Sequence, residues 1–339
     1  METIWIEKYR PSSIDSILQS DIKQLIFQKH NLINLPHLLF YGQPGTGKTT
    51  TALIICKYLF NSNNILHKKK IMNERVLELN ASDDRGINVV REKIKIFAAQ
   101  ALNNYKDIPN FKIIILDEAD AMTNDSQFAL RRIIEQYSHI TRFILICNYV
   151  TKIITPLVSR CSKYRFNNIN IIQMKCIIQT ILTNEQISYN IEYLDNINNI
   201  IYNITKGDLR KTITILQRSI YISKLNKIDI NSEIINEIGG IIPLNNIINL
   251  YNVIKNKIET HKDITTILTH LINCSYSITS IINEISILIL NDNDITDIQK
   301  SKIFIKMSNI CNLLANSSGD YIQLLALCSY INHILANCS

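Results

Sequence analysis

Gly42-Gln43-Pro44-Gly45-Thr46-Gly47-Lys48-Thr49 decides how this chain folds. The spacing is a full G-x-x-x-x-G-K-T phosphate-binding loop. Before it runs His37-Leu38-Leu39-Phe40-Tyr41, a short apolar strand. After it, Thr50 to Phe60 reads as a helix with Leu53, Cys56 and Leu59 or Phe60 turned inward. The glycines let the backbone wrap an anion with its N–H groups pointing inward, and the helix N-terminus adds partial positive charge. Lys48 is expected to reach the β- and γ-phosphates and the Thr49 hydroxyl to take a place on Mg²⁺. An ordinary Gly-rich turn is the competing reading, and the flanking strand and helix weigh against it.

Outward from the loop, Phe111-Lys112-Ile113-Ile114-Ile115-Leu116-Asp117-Glu118-Ala119-Asp120 is the second strong signal. Consecutive apolar residues predict a buried central parallel strand. It ends in two acids at the C-terminal edge, where ligands bind in open α/β sheets. Asp117 is placed to hold Mg²⁺, directly or through water. Glu118 is placed to orient and deprotonate an attacking water. Phe143-Ile144-Leu145-Ile146-Cys147-Asn148 is a further buried strand, and Asn148 can hydrogen-bond the γ-phosphate or the water. No N-K-x-D base-reading motif is present, so ATP is expected rather than GTP.

The remaining elements of the first half follow from periodicity. Val76 to Asn80 is expected as a strand, and helices are expected over Asp21–Asn31, 87–101 and Asp125–Tyr137. His67-Lys68-Lys69-Lys70 is expected as a solvated loop. Trp5-Ile6-Glu7-Lys8-Tyr9-Arg10-Pro11 is expected as an extended opening that either packs beside a nucleotide base or simply packs the N-terminus. On the helix over 87–101, Ile87, Val90, Ile94, Phe97 and Ala101 share one stripe. Arg91 and Lys95 share another, with Arg85 just ahead. Such a face is either solvated or tracks phosphates. Ser159-Arg160-Cys161 then leads into the strand Lys163–Phe166.

After residue 168 the strands stop. Gly207-Asp208-Leu209-Arg210-Lys211 starts a helix with Asp208 as N-cap, and Arg210 in its first turn can project toward phosphate. Gly239-Gly240 and Pro243 mark a boundary, and 244–339 is helical with no recognisable chemistry.

The 339 residues suffice for two or three domains. Eight scattered cysteines contain no C-x-x-C, so reduced and mostly buried thiols are expected rather than a zinc or redox site. No apolar run is long enough to span a bilayer, and Met1–Trp5 lacks a signal-peptide pattern, so an intracellular protein is expected. The net charge of +7 is compatible with a nucleic-acid partner.

Taken together, these stretches resemble the small subunits of replication factor C, the sliding-clamp loader, within the AAA+ ATPases. The resemblance rests on Trp5–Pro11, the phosphate loop, Glu78-Leu79-Asn80-Ala81-Ser82-Asp83, the Asp117–Asp120 strand end, Ala129–Arg132, Ser159–Cys161, Gly207–Arg210 and, in the last domain, Ser318–Leu325. Cys147–Val150 and Gly239–Pro243 are most similar to the branch numbered four in mammals and two in budding yeast.

The resemblance implies an α/β P-loop domain over 1–168, a helical lid over 169–237 and a helical collar over 238–339. It implies an ATPase within a hetero-pentamer that loads a PCNA-type clamp onto primer–template DNA in replication and repair, in the nucleus, with ATP and Mg²⁺ as cofactors and no membrane partner. Gly42, Gln43, Pro44, Gly45, Thr46, Gly47, Lys48, Thr49, Thr50, Asp117, Tyr9 and Arg10 would bind the nucleotide. Glu118, Lys48, Asn148 and Arg210 would be catalytic, as would Arg160, acting on a neighbouring subunit's nucleotide. Asn80 resembles the polar switch on the catalytic glutamate. Arg85, Arg91, Lys95 and Lys152 resemble DNA-tracking residues. Two alternatives stand beside this reading: a ring member that mainly supplies Arg160 and hydrolyses little, and another AAA+ DNA motor.

Overall fold

The computed structural model describes residues 4–27, 35–61, 65–82, 87–103, 105, 108–187, 191–226, 232–255, 261–316 and 319–336. They form two compact units, Met1–Gln217 and Arg218–Ser339.

The first unit is built on five strands: β1 (His37–Gly42), β2 (Val76–Asn80), β3 (Lys112–Asp117), β4 (Thr141–Cys147) and β5 (Cys161–Phe166). They lie in the order β2-β3-β4-β1-β5, and each neighbouring pair is parallel. Parallel strands require crossovers, and the helices in those crossovers cover both faces of the sheet. The side chains of a strand alternate between the two faces. Leu38, Phe40, Ile113, Ile115, Ile144 and Ile146 therefore pack with Ile55, Cys56 and Ile71 in one core. Leu39, Ile114, Leu116, Phe143 and Leu145 pack on the other side with Ile94, Ala98, Leu130 and Ile134. Because β1 lies between β4 and β5, its chain leaves the sheet at a point where the connections diverge, which is where open α/β sheets form a ligand crevice.

The helix Lys48–Leu59 follows β1 directly, with Gly47 as its N-cap residue. The helices Ile171–Asn184, Ile191–Thr205 and Leu209–Asn226 follow the sheet. Asn170 and Gln173 start the first of these with a reciprocal capping box.

Two local expectations are corrected. The opening segment is not extended: Trp5–Lys8 forms one helical turn, anchored by the buried Trp5. His67–Lys70 lie inside the helix Ile65–Arg75 rather than in a loop. Lysine is a good helix former, and the buried Ile71 holds that helix to the core while Lys69 and Lys70 are exposed. Of the helix expected over Asp21–Asn31, Ser20–Phe27 is helical and the remainder lies outside the described residues.

The described residues of the second unit form helices joined by short connections, with no strand among them. Leu244–Lys255, His261–Asn273, Ile278–Asn291, Asp297–Ala315 and Asp320–Ala336 pack around Leu250, Ile254, Leu268, Ile281, Ile285, Ile303, Leu324 and Leu327. Tyr251 and Lys255 both hydrogen-bond Asp292 there, at 2.6 and 2.8 Å. Among the described residues no helix is long and apolar enough to cross a membrane, and no cluster of possible metal ligands occurs.

Candidate functional site

The C-terminal ends of β1, β3 and β4 converge on one cavity of about 780 Å³. Parallel pairing explains the convergence: Tyr41 of β1 lies opposite Cys147 of β4, and Leu116 of β3 lies opposite Leu145. The residues after β3 and β4, Glu118 and Asn148, thus reach the same rim, to which β1 leads through its loop. Pro44 to Thr50, Asp117, Glu118, Asn148 and Arg210 line the cavity, as do Tyr9 and Arg10 from the opening segment.

Lys48 is the best-buried charge in this set, at 8% exposure. Its Nζ donates to the carbonyls of Gly42 and Gln43, both at 2.8 Å, and to Asn148 Oδ1 at 3.1 Å. Gly42 and Gln43 therefore shape the loop by holding the lysine rather than by lining the cavity. Burial pulls the Lys48 pKa down and the Asp117 carboxylate pulls it up. A cation whose partners are neutral carbonyls in a desolvated loop is well placed to exchange them for phosphate oxygens.

Thr49 donates its hydroxyl to Asp117 Oδ2 at 2.6 Å. A hydroxyl and a carboxylate this close form a hard-oxygen pair that suits Mg²⁺, which takes few protein ligands and completes its shell with water and phosphate. The other Asp117 oxygen accepts the Glu118 backbone N–H at 2.9 Å. Glu118 itself has φ of 53°, a left-handed conformation that a branched-Cβ-free but non-glycine residue adopts only under local constraint. Its side chain is exposed at the cavity wall.

Gly45 shows why the loop needs glycine. It has φ of +72°, and a Cβ there would stand 1.8 Å from Asp208 Oδ1. Asp208 caps the helix Leu209–Asn226, accepting from the backbone N–H groups of Arg210 and Lys211 at 2.9 and 3.2 Å. Leu209 N–H also donates to the Gly45 carbonyl at 3.2 Å. The phosphate loop and the helix carrying Arg210 are thus in direct contact.

The other sequence candidates lie elsewhere. Arg160 does not line this cavity: its guanidinium pairs with Glu135 and donates to the Pro156 carbonyl at 2.7 Å. Glu135 also takes Arg131. Asn80 is exposed, and its Oδ1 accepts from the Ser82 N–H and hydroxyl at 3.0 and 2.9 Å, although its backbone is paired with Asp117. Lys95 is exposed on the helix Ile87–Ala99. Lys152 sits over the Tyr149 ring at 5.5 Å. Arg85 and the Arg91 side chain lie outside the described residues.

Three acids were missed in these roles. Asp120 Oδ2 accepts from the backbone N–H groups of Asn148 and Tyr149 at 3.2 and 3.3 Å, fastening the turn that presents Asn148. No local pattern announces a bond across that sequence distance. The sequence shows Asp208 as a helix cap but not as a neighbour of Gly45. Glu185 accepts from Lys8 Nζ and Tyr9 Oη at 2.5 and 2.6 Å. Its signal in the sequence was an acid at a helix C-terminus, where the dipole disfavours one.

Comparison with known proteins agrees with this geometry. Residues 38–168 match the family model "ATPase family associated with various cellular activities (AAA)", and residues 242–330 match "Replication factor C C-terminal domain". Replication factor C subunit 4 of Arabidopsis thaliana is 40% identical over 96% of this chain and 93% of its own length. Replication factor C subunit 2 of Schizosaccharomyces pombe is 39% identical over 97% and 93%. Subunit 4 of Homo sapiens is 37% identical over 98% and 89%. Among solved structures, the Thermotoga maritima RuvB Holliday junction branch migration motor superposes with a TM-score of 0.51 over 73% of this chain and 79% of that one. At 18% identity that likeness speaks for the fold alone.

Proposed function

The chain belongs to the replication factor C small-subunit family of AAA ATPases, and from that premise we propose that it works as a clamp-loader subunit whose own site binds ATP with Mg²⁺ and whose Arg160 serves a neighbour's site. The observation that carries this reading is a division of labour. Lys48, Thr49, Asp117, Glu118, Asn148 and Arg210 meet around one cavity, while Arg160 stands exposed outside it. Charge on the transferring phosphoryl group needs stabilisation from all sides, and an arginine supplied by a second protein is a known way to complete such a site.

In this scheme Lys48 and Arg210 neutralise phosphate charge, and Thr49 with Asp117 would hold Mg²⁺, which supplies Lewis-acid stabilisation of the phosphate oxygens when bound. Asn148, fastened by Asp120, positions the water or the γ-phosphate. Glu118 takes the water's proton. The Arg160–Glu135 pair is partly exposed, so exchanging Glu135 for a neighbour's phosphate costs little. Tyr9 and Arg10 wall the nucleotide. Partners in this reading are the other replication factor C subunits in a hetero-pentamer, a PCNA-type clamp and primer–template DNA, in the nucleus. Lys95 and Lys152, with Arg85 and Arg91, would follow the DNA backbone, which makes binding salt-dependent and indifferent to base sequence. Asn80, one strand from Asp117, is assigned the switch on Glu118. The domain limits are 1–168, 169–237 and 238–339.

The test is ATPase activity of the chain assembled with partner subunits, with clamp and primed DNA added singly and together. Glu118→Gln is expected to abolish turnover at this chain's site and Arg160→Ala at the neighbour's. Activity that is high in the isolated chain and indifferent to clamp and DNA would refute the loader reading. Loading slowed by Arg160→Ala but not by Glu118→Gln would leave this chain as a ring member that lends its arginine.

A further inference from the structure

Glu185 follows the last residue of the helix Ile171–Asn184. The helix closes there through Glu185 N–H to the Ile181 carbonyl at 3.0 Å and Ile187 N–H to the Leu182 carbonyl at 3.0 Å. The helix dipole makes this end negative, so a carboxylate is the wrong charge for it. A residue that breaks a local rule needs a compensating contact, and such exceptions concentrate at functional sites.

The compensation comes from the opening segment. Lys8 Nζ and Tyr9 Oη both donate to Glu185 Oε1, at 2.5 and 2.6 Å. The Glu185 side chain is 18% exposed, so these charge-assisted bonds are partly shielded from water. Tyr9 lines the nucleotide cavity, and so do Ile177, Thr180 and Ile181 of the helix that Glu185 ends. One carboxylate therefore joins two walls. The same segment is tied in two more places. Trp5 N–H donates to Gln217 Oε1 at 3.1 Å on the helix that carries Arg210, and the Trp5 ring meets the Tyr9 ring edge-on at 6.0 Å. Arg10 Nε donates to Thr50 Oγ1 at 3.3 Å, on the helix after the phosphate loop.

Loop 42–49 accounts for the phosphates. The wall that Tyr9 and the helix Ile171–Asn184 add is left for the base and ribose. We propose that Glu185 is a positioning residue for the nucleoside half of the ligand: it holds Tyr9 and Lys8 against the helical lid, fixes the wall that meets the nucleoside, and ties the lid to nucleotide occupancy. The inference rests on the nucleotide-binding reading above and names a residue that deepens it.

The experiment is calorimetric titration of the full chain with ATP and, separately, with inorganic tripolyphosphate, which carries the phosphates without the nucleoside. Glu185→Ala is expected to weaken ATP by roughly fivefold or more and tripolyphosphate by less than about twofold. Glu185→Gln, whose amide oxygen still accepts from Tyr9, is expected to fall between Glu185→Ala and the unaltered chain. Weakening of both ligands alike would mean a general structural lesion and overturn the proposal, as would a smaller effect on ATP. An unaltered chain that binds neither ligand would refute the nucleotide reading itself, and Glu185 with it.

Discussion

Replacing Gly45 with alanine tests whether the phosphate loop and the lid helix act as one piece. A non-glycine residue in the left-handed region costs roughly 1–2 kcal/mol. Loss of glycine's freedom in the unfolded chain returns about 0.4–1 kcal/mol. The new methyl would occupy the place of Asp208 Oδ1, 1.8 Å away, so Asp208 must swing off its helix. That forfeits the cap to Arg210 and Lys211, worth about 1 kcal/mol. The net expectation for Gly45→Ala is a loss of about 2 kcal/mol, and Asp208→Ala alone should lose about 1 kcal/mol. In the double variant the obstacle is gone and the cap is already lost. The pair should therefore cost about 2 kcal/mol rather than 3, a coupling near 1 kcal/mol. Urea unfolding followed by Trp5 fluorescence is the assay, because Trp5 is the only tryptophan and lies in the first unit. Strictly additive losses in the double variant would show that Gly45 and Asp208 do not share space.

Two further expectations concern the start of β1 and the turn that presents Asn148. His37 accepts the Phe143 N–H through Nδ1 at 3.2 Å, and burial, with the nearby Arg142, lowers its pKa to about 4. Its folded pKa lies below the ordinary 6.5, so the stability it contributes is complete above pH 6.5 and is lost as pH falls toward 4, by about 2 kcal/mol at pH 5. Urea unfolding between pH 7 and 5 should show a flatter dependence in His37→Gln than in the parent chain, and equal slopes would contradict this. Asp120→Ala releases the turn that presents Asn148, so turnover in the assembled complex should drop roughly tenfold with little change in KM for ATP. A raised KM with unchanged turnover would instead assign Asp120 to ground-state binding.

The sheet was legible wherever the signal was local. Consecutive apolar residues in Ile113–Leu116 and Phe143–Ile146 announce strands covered on both faces, and the glycine spacing of 42–49 announces the loop between strand and helix. Helix limits were less legible. The lysines at 68–70 are compatible with loop or helix, and the packing of Ile71 decides between them. The opening turn at Trp5–Lys8 was hidden because Pro11 suggested extension, whereas burial of Trp5 set the backbone. Within the site, the residue types were readable but not their long-range partners. Lys48 to Asn148, Thr49 to Asp117 and Tyr9 to Glu185 each join distant positions, and such pairs have no period in the sequence.

Strand β3 carries a fastening at each end. At its start, the buried Lys112 sends Nζ to the carbonyls of Phe97 and Gln100, at 2.7 and 2.6 Å, gripping the end of the helix that bears Lys95. At its finish, Asp117 grips Thr49, and Glu118 follows. Between them Ile113 to Leu116 are fully buried and are hydrogen-bonded to β2 on one side and β4 on the other. A segment clamped along both edges does not buckle. It behaves as a bar roughly 16 Å long, at about 3.3 Å per residue. A push on the helix end therefore arrives at Asp117 and Glu118 as a shift of the whole bar, so the Lys112 end of the strand and the cavity wall move together.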